Sequence, residues 1–130
     1  DEPVVLRRPY TREGGLSGGQ ELLALGAPPT AILAASDVQG LGVLAAASRR
    51  GLRVPEDLSV VSIDGTLLAA YAQPPLTSVD QPLDLMAREA VGLVLDAAAG
   101  SDDGGAPRSI DLPTSFTIRS STARAPLPPT

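Results

Sequence analysis

Apolar residues along this chain occur in two patterns that alternate from one segment to the next. Short runs rich in apolar and β-branched residues predict strands, at residues 3–6, 31–35, 58–63 and 115–120. The intervening segments predict helices, at residues 13–25, 38–50, 67–71 and 83–99. A proline-bounded piece, residues 73–82, is predicted to be extended. Residues 100–107 are predicted to form an exposed loop.

The order of these elements predicts an α/β fold. Helices lie between consecutive apolar strands, and no hairpin signal occurs early in the chain. This order predicts a parallel sheet with helices on both faces, a three-layer sandwich. Because parallel strands end at the same edge of their sheet, residues that follow the strands should meet there. Tyr10, Asp37 and Asp64 each follow a predicted strand, so we expect them at one edge.

The residues at the start of the helix at 38–50 allow two interpretations. Ser36, Asp37 and Gln39 match a capping box, in which Ser36 caps the helix and Gln39 reaches back to it. The alternative is that Ser36 and Asp37 face a ligand. The two roles are compatible, because a cap at this position lies at the ligand-binding edge of an α/β sheet.

Three further residues have a structural and a functional interpretation. Asp64 precedes Gly65 and is either part of a turn or a carboxylate that accepts hydrogen bonds from the hydroxyls of a polyol. Tyr10 is either a half-buried packing residue or an aromatic face that stacks on a sugar or a base. Gln81, beside Pro82, is either a solvated loop residue or part of the same site.

Composition narrows the function further. The net charge of −5 gives no surface for a phosphate backbone, so we expect no direct nucleic-acid binding. The absence of Cys and His removes thiolate metal sites, the commonest metal ligand and the commonest general base. The glycine-rich stretch at residues 14–19 lacks the Lys of a phosphate loop. We therefore expect no enzyme activity, no cofactor and no metal. No signal peptide or apolar run long enough to span a membrane is present, so no membrane partner is expected.

Three motifs together, "PTAILAASD", "GLRVPEDLSVVSID" and "PPLTSVDQP", resemble the effector-binding domain of LacI/GalR-family transcriptional regulators. The resemblance extends from about Tyr10 to Arg119. It implies a periplasmic-binding-protein-like fold, in which an effector cleft lies between two α/β subdomains. It also implies a cytoplasmic, homodimeric regulator that senses a sugar or related effector. DNA would be bound only through a helix-turn-helix domain absent from this chain.

The resemblance implies the following division of the chain. Residues 1–81 correspond to the second subdomain without its first strand and helix. Residues 82–106 correspond to a crossing helix and loop of the first subdomain, and residues 107–122 to a returning strand. Residues 123–130 are predicted to be a disordered tail. Because such a truncation would expose a sheet edge and an apolar face, we expect the chain to self-associate.

The resemblance also assigns roles to individual residues. Those that match effector-binding positions are Tyr10, Ser36, Asp37, Asp64 and Gln81. Those that match dimer-interface positions are Leu41, Ala72 and Gln73, although Leu41 is equally compatible with an ordinary core position. The chain departs from the family pattern at Ser62, Ile63 and Gly65, where the family has glycine, an aromatic residue and a second aspartate.

Two other functions compete with the regulator. The first is a solute-binding protein of a sugar transporter, which shares the fold. The second is a domain that binds no ligand and only self-associates. The Arg7–Arg8 pair would favour an anionic effector, unless it is a solvated strand end.

Overall fold

The computed structural model describes residues 3–100 and 108–125, which divide into two compact units. The first unit comprises Asp1–Asp80 and Phe116–Thr130, and the second comprises Gln81–Ser115. In chain order the elements are α1 (Arg12–Leu22), β1 (Ala31–Leu33), α2 (Asp37–Arg49), β2 (Ser59–Asp64), α3 (Leu67–Ala70), β3 (Thr77–Asp80), α4 (Leu83–Ala98) and β4 (Ser115–Thr117). The predictions for residues 101–107 and 126–130 lie outside the described residues.

The sheet has the order β1-β2-β3-β4. β1 pairs in parallel with β2, which pairs in parallel with β3. Ile32 lies opposite Val60 in the first pair, and Asp64 lies opposite Asp80 in the second. The α/β fold and the parallel sheet are therefore confirmed, and all three carboxyl ends lie at one edge.

The core of the first unit lies where α2 packs against the sheet, with α1 covering α2. Its buried members are mostly small or aliphatic: Leu23, Ile32, Ala34, Val43, Leu44, Ala46, Ala47, Leu58, Val60, Ala69, Ala72 and Leu76. Such a core needs no aromatic side chains, which agrees with their low frequency in the sequence. Burial of these side chains stabilises the contact by roughly 25 cal/mol per Å² of apolar surface.

Glycines allow α1 and α2 to approach closely. Each glycine within α1 costs about 1 kcal/mol in intrinsic helix propensity relative to alanine. A Cβ at Gly15 would lie 2.7 Å from the Cα of Gln39, and one at Gly42 would lie 2.7 Å from the carbonyl carbon of Gly15. Any larger residue would therefore force the two helices apart. The packing that this contact permits offsets the low helix propensity of α1.

The strand predicted at residues 3–6 is not formed. Residues 3–9 adopt no regular secondary structure, and Val5 is 74% exposed. A strand is stabilised by hydrogen bonds to a neighbour, and these residues do not join the sheet. The prediction was wrong because an apolar run shows only that a segment is compatible with a strand. It does not show that a neighbouring strand is available to pair with it.

The helix boundaries follow local signals. The side chains of Thr11, Ser36 and Thr66 accept hydrogen bonds from backbone N–H groups in the first turns of α1, α2 and α3. α1 ends at Leu22 rather than at residue 25, and β1 ends at Leu33 rather than at residue 35. No helix within residues 3–100 or 108–125 has both the length and the apolar character that a bilayer crossing requires.

The second unit contains α4, whose predicted bounds are confirmed to within one residue. Every residue of α4 is exposed or half-buried, including the apolar residues Leu83, Met86 and Val94. Arg108 forms an ion pair with Asp96 at 2.9 Å within this unit. The helix therefore forms in the structure without burying its apolar face within the described residues of its own unit.

Candidate functional site

The carboxyl ends of β1, β2 and β3 form the rim, which we define as residues 34–37, 64–66 and 80. The backbone N–H of Asp37 donates a hydrogen bond of 3.2 Å to Oδ2 of Asp64. The prediction that Asp37 and Asp64 lie at the same edge is therefore confirmed. An antiparallel arrangement would have placed them at opposite edges.

Ser36 begins α2 as its N-cap. Its hydroxyl oxygen accepts a hydrogen bond of 3.2 Å from the backbone N–H of Gln39. The predicted capping box is nevertheless only half formed, because the Gln39 side chain does not return to Ser36. Its Nε2 donates instead to the carbonyls of Pro9, at 2.8 Å, and Arg8, at 3.3 Å. Gln39 thus attaches the N-terminal segment to the first turn of α2.

Asp37 is the fully buried residue of the rim, with 0% of its surface exposed. Its Oδ1 accepts hydrogen bonds from the hydroxyls of Ser62, at 2.6 Å, and Ser78, at 3.1 Å. Its Oδ2 accepts from Thr66, at 2.7 Å from the backbone N–H and at 2.8 Å from the hydroxyl. The position in the first turn of α2 also favours a negative charge. Asp37 therefore links α2, β2, β3 and the start of α3.

Asp64 ends β2 in an unusual backbone conformation. Its φ is +125°, and that of the following Gly65 is +75°. Non-glycine residues rarely adopt positive φ, so this conformation is maintained by its surroundings. Asp64 is half-buried, which leaves part of its surface accessible at the rim. The positive φ angles agree with the turn interpretation, and the role of the carboxylate as an acceptor for effector hydroxyls stays a prediction.

Tyr10 is 72% exposed, so the packing interpretation does not describe it. It follows Pro9, whose carbonyl is held by Gln39 in the first turn of α2. Because the strand predicted at residues 3–6 is not formed, Tyr10 does not follow a strand of the sheet, and its position in an effector site stays a prediction. Gln81 is half-buried and belongs to the second unit, where its carbonyl accepts a hydrogen bond of 2.8 Å from the N–H of Leu83.

The hydroxyl residues that organise the rim were not predicted from the sequence. Ser62 and Ser78 are register partners on β2 and β3, and both are fully buried. A signal was present, since Ser62 lies on a predicted apolar strand and Ser78 on the predicted extended segment, and a buried serine requires a polar partner. Ser62, which replaces the family's glycine, supplies one of the donors to Asp37.

The predicted dimer-interface residues differ in their exposure. Leu41 is half-buried and packs against the core, and Ala72 is a core residue with 5% of its surface exposed. Gln73 is exposed. An interface at these positions stays a prediction, and of the three residues only Gln73 is exposed.

The Arg8 side chain of the Arg7–Arg8 pair contacts α1. Its guanidinium is paired with the carboxylate of Glu21 and donates to the carbonyl of Arg7. A role of the pair in binding an anionic effector stays a prediction. Among the described residues, no group of Asp or Glu side chains is arranged to hold a metal ion.

The resolved pKa shifts lie away from the rim. The Arg53 side chain donates hydrogen bonds of 2.9 Å and 2.8 Å to the carboxylate of Asp57, and its backbone N–H donates one of 2.8 Å. These bonds lower the pKa of Asp57 to about 2, and the same pairing raises the pKa of Arg53. The pair closes the turn that precedes β2, at the opposite end of that strand from Asp64.

Comparison with known proteins identifies one family. Periplasmic binding protein-like domains match residues 3–122. The HTH-type transcriptional repressor CytR of Escherichia coli is 41% identical over 126 residues, which are 97% of this chain and 36% of CytR. The chain thus spans about a third of the length of this curated relative.

Two solved structures agree with the sequence comparison. The complex of the transcriptional regulator CelR with cellobiose is 38% identical, with a TM-score of 0.80, and the match covers 86% of this chain and 34% of CelR. The dimeric Lac repressor with an 11-residue C-terminal deletion is 32% identical, with a TM-score of 0.77, and the match covers 87% of this chain and 40% of the repressor. All three named relatives are transcriptional regulators rather than enzymes.

Proposed function

The chain belongs to the periplasmic binding protein-like domain family, and on this premise we propose that it forms the effector-sensing and dimerisation part of a LacI-type transcriptional regulator. The observation that carries the proposal is the hydrogen bond between Asp37 and Asp64. It brings two predicted site residues together at the edge where parallel α/β sheets bind ligands. The named relatives favour a regulator over the solute-binding protein of a transporter.

We propose a sugar or a related polyhydroxyl compound as the effector. The carboxylate of Asp64 accepts hydrogen bonds from effector hydroxyls, and the exposed ring of Tyr10 stacks on the effector. Gln81, the first residue after the first unit, is also proposed to bind the effector. Ser36 and Asp37 act by holding α2 and the Asp64 carboxylate in place, since Asp37 is buried and already accepts four hydrogen bonds. Cellobiose, the ligand of CelR, is a suitable first probe.

The division of the chain follows the same proposal. Residues 1–81 correspond to one effector-binding subdomain, and residues 82–106 to the crossing helix and loop of the other. Residues 107–122 return to the first. The separation of Gln81–Ser115 as its own unit supports this division.

The proposed partners are a second copy of the protein and DNA. Leu67 on α3 and Tyr71 directly after it are exposed apolar residues close in sequence to Ala72 and Gln73, which supports a protomer contact there. DNA is contacted through a helix-turn-helix domain outside these 130 residues, in the cytoplasm. The HTH-type designation of CytR supports this arrangement, as does the acidic balance of the chain. The proposal includes no catalytic step.

The test uses the intact protein and a panel of neutral sugars and nucleosides that includes cellobiose. We expect at least one compound to raise the melting temperature and to change the affinity for operator DNA, measured by fluorescence anisotropy. Asp64→Asn should weaken binding of that compound about tenfold or more, because a charged hydrogen-bond acceptor is lost.

Glu56→Gln is the matched control. Glu56 is an exposed carboxylate in the turn before β2, and Asp64 is the last residue of that strand. Each variant removes one negative charge near one end of β2. The control should bind the compound as the wild type does. Failure of every compound to stabilise the protein, or equal effects of the two variants, would refute the proposed site.

A further inference from the structure

Asp80 lies beside Asp64 at the carboxyl end of the neighbouring strand. The two residues are register partners, so two carboxylates occupy adjacent positions at the rim. Like charges directly opposite each other in a sheet are destabilising. Asp80 was not singled out by its sequence context, and its contacts therefore need an explanation.

The two carboxylate oxygens of Asp80 have different surroundings. Oδ2 accepts a hydrogen bond from the hydroxyl of Thr117 on β4. Oδ1 is buried and has no hydrogen-bond partner within the described part of the chain. A buried acceptor without a donor is unfavourable for stability. This orientation is therefore selected by something other than the hydrogen bonding of Oδ1.

That orientation places Asp80 against the turn that follows β2. A Cβ at Gly65 would lie 2.7 Å from both Cα and Cβ of Asp80, and closer still to its Oδ1. Asp80 thus fills the space beside Gly65, the residue that follows Asp64. The positive φ angles of Asp64 and Gly65 occur at this point of contact.

We propose that Asp80, oriented by Thr117, is a positioning residue for Asp64. Its side chain packs against Gly65 and holds the turn in the conformation in which the Asp64 carboxylate accepts the hydrogen bond of the Asp37 N–H. Asp80 is the last residue before the chain leaves the first unit, and Thr117 follows shortly after it returns. The proposal rests on the proposed function only in that a positioned Asp64 binds the effector.

The first experiment needs no ligand. Amide hydrogen exchange in the intact protein reports on the Asp37 N–H, which donates to Asp64, and on the Gly65 N–H, which donates to Ser78 at 3.1 Å. Thr117→Val removes the hydroxyl but keeps the shape of the side chain. We expect it to accelerate exchange at both amides about tenfold or more, the effect of losing one hydrogen bond to a charged group. Thr117→Ser restores the hydroxyl and should restore the slow exchange.

Thr122→Val is the matched control. It removes the 2.9 Å hydrogen bond between the hydroxyls of Thr122 and Thr77, which lies at the opposite end of β3 from Asp80. We expect no change at the Asp37 and Gly65 amides. Unchanged exchange in Thr117→Val, or an equal acceleration in Thr122→Val, would overturn the proposal. If Thr117→Val does not fold, Asp80→Ala is measured in its place with the same expectation.

The second experiment measures binding of cellobiose by isothermal titration calorimetry. Thr117→Val should weaken binding about tenfold, whereas Thr117→Ser and Thr122→Val should each remain within about twofold of the wild type. If the wild type binds no cellobiose, this sugar is not the effector. The hydrogen-exchange experiment still tests the positioning role of Asp80 in that case. Normal binding by a Thr117→Val protein with accelerated exchange would overturn the link between positioning and affinity.

Discussion

Removal of the Asp37 carboxylate is expected to destabilise the protein severely. In Asp37→Ala, four hydrogen bonds to the carboxylate are lost, from the hydroxyls of Ser62 and Ser78 and from both donors of Thr66. Hydrogen bonds to a charged group contribute about 1.5–3 kcal/mol each, and they are not additive when they share one carboxylate. We expect a loss of at least about 4 kcal/mol, which is much of the total stability of a typical domain.

Asp37→Asn distinguishes the loss of hydrogen bonds from the loss of charge. The amide has the same shape, and its oxygen can still accept from Thr66. The hydroxyls of Ser62 and Ser78 can rotate to accept from the amide NH₂, because a hydroxyl both donates and accepts. We therefore expect this variant to lose only about 1–2 kcal/mol, since hydrogen bonds are weakened but not removed.

The assay is urea unfolding followed by circular dichroism, with the free energy of unfolding extrapolated to water. Asp84→Ala, at an exposed aspartate in the first turn of α4, is the control and should change stability by less than about 1 kcal/mol. A loss below about 2 kcal/mol in Asp37→Ala would refute the argument. So would an equal loss in Asp37→Asn, because the carboxylate charge would then matter more than the hydrogen bonds.

Two further predictions concern the turn before β2 and the contact between α1 and α2. Arg53→Ala should raise the pKa of Asp57 from about 2 towards 3.8, as measured by NMR titration. Because the folded pKa lies below the unfolded one, the stability from this pair is present above about pH 4 and is lost as the pH falls towards 2. An unchanged Asp57 pKa would contradict the assigned cause. Gly42→Ala should cost at least about 2 kcal/mol in thermal unfolding, because its Cβ would overlap the backbone of Arg12. Gly92→Ala, in α4 with open space around it, should stabilise by about 0.5–1 kcal/mol, and equal effects would disprove the packing argument.

Local signals in the sequence predicted the helix starts well. Thr11, Ser36 and Thr66 are each found as N-caps, because a cap depends on a side chain and a backbone group only two or three residues apart. The parallel sheet and the common edge of Asp37 and Asp64 also followed from sequence, since strand–helix–strand order leaves few alternatives.

Local signals failed where a partner distant in sequence decides the outcome. The strand predicted at residues 3–6 joins no neighbour in the sheet. Gln39 has the position of a capping-box residue, but its amide donates to Pro9, 30 residues earlier. In both cases the local pattern permits the predicted structure, and the competing contact comes from elsewhere in the fold.

The four helices, the strands β1, β2 and β4, and the shared edge of Asp37 and Asp64 were predictable from the sequence. The roles of these residues at that edge depend on contacts made only in the folded chain. Asp37 can be buried because its carboxylate accepts hydrogen bonds from donors that lie 25 to 41 residues away in the sequence. Asp80 lies against Gly65 because Thr117, 37 residues later, orients its carboxylate. Burial and hydrogen-bond satisfaction depend on segments that meet only in the fold, so no local pattern specifies them.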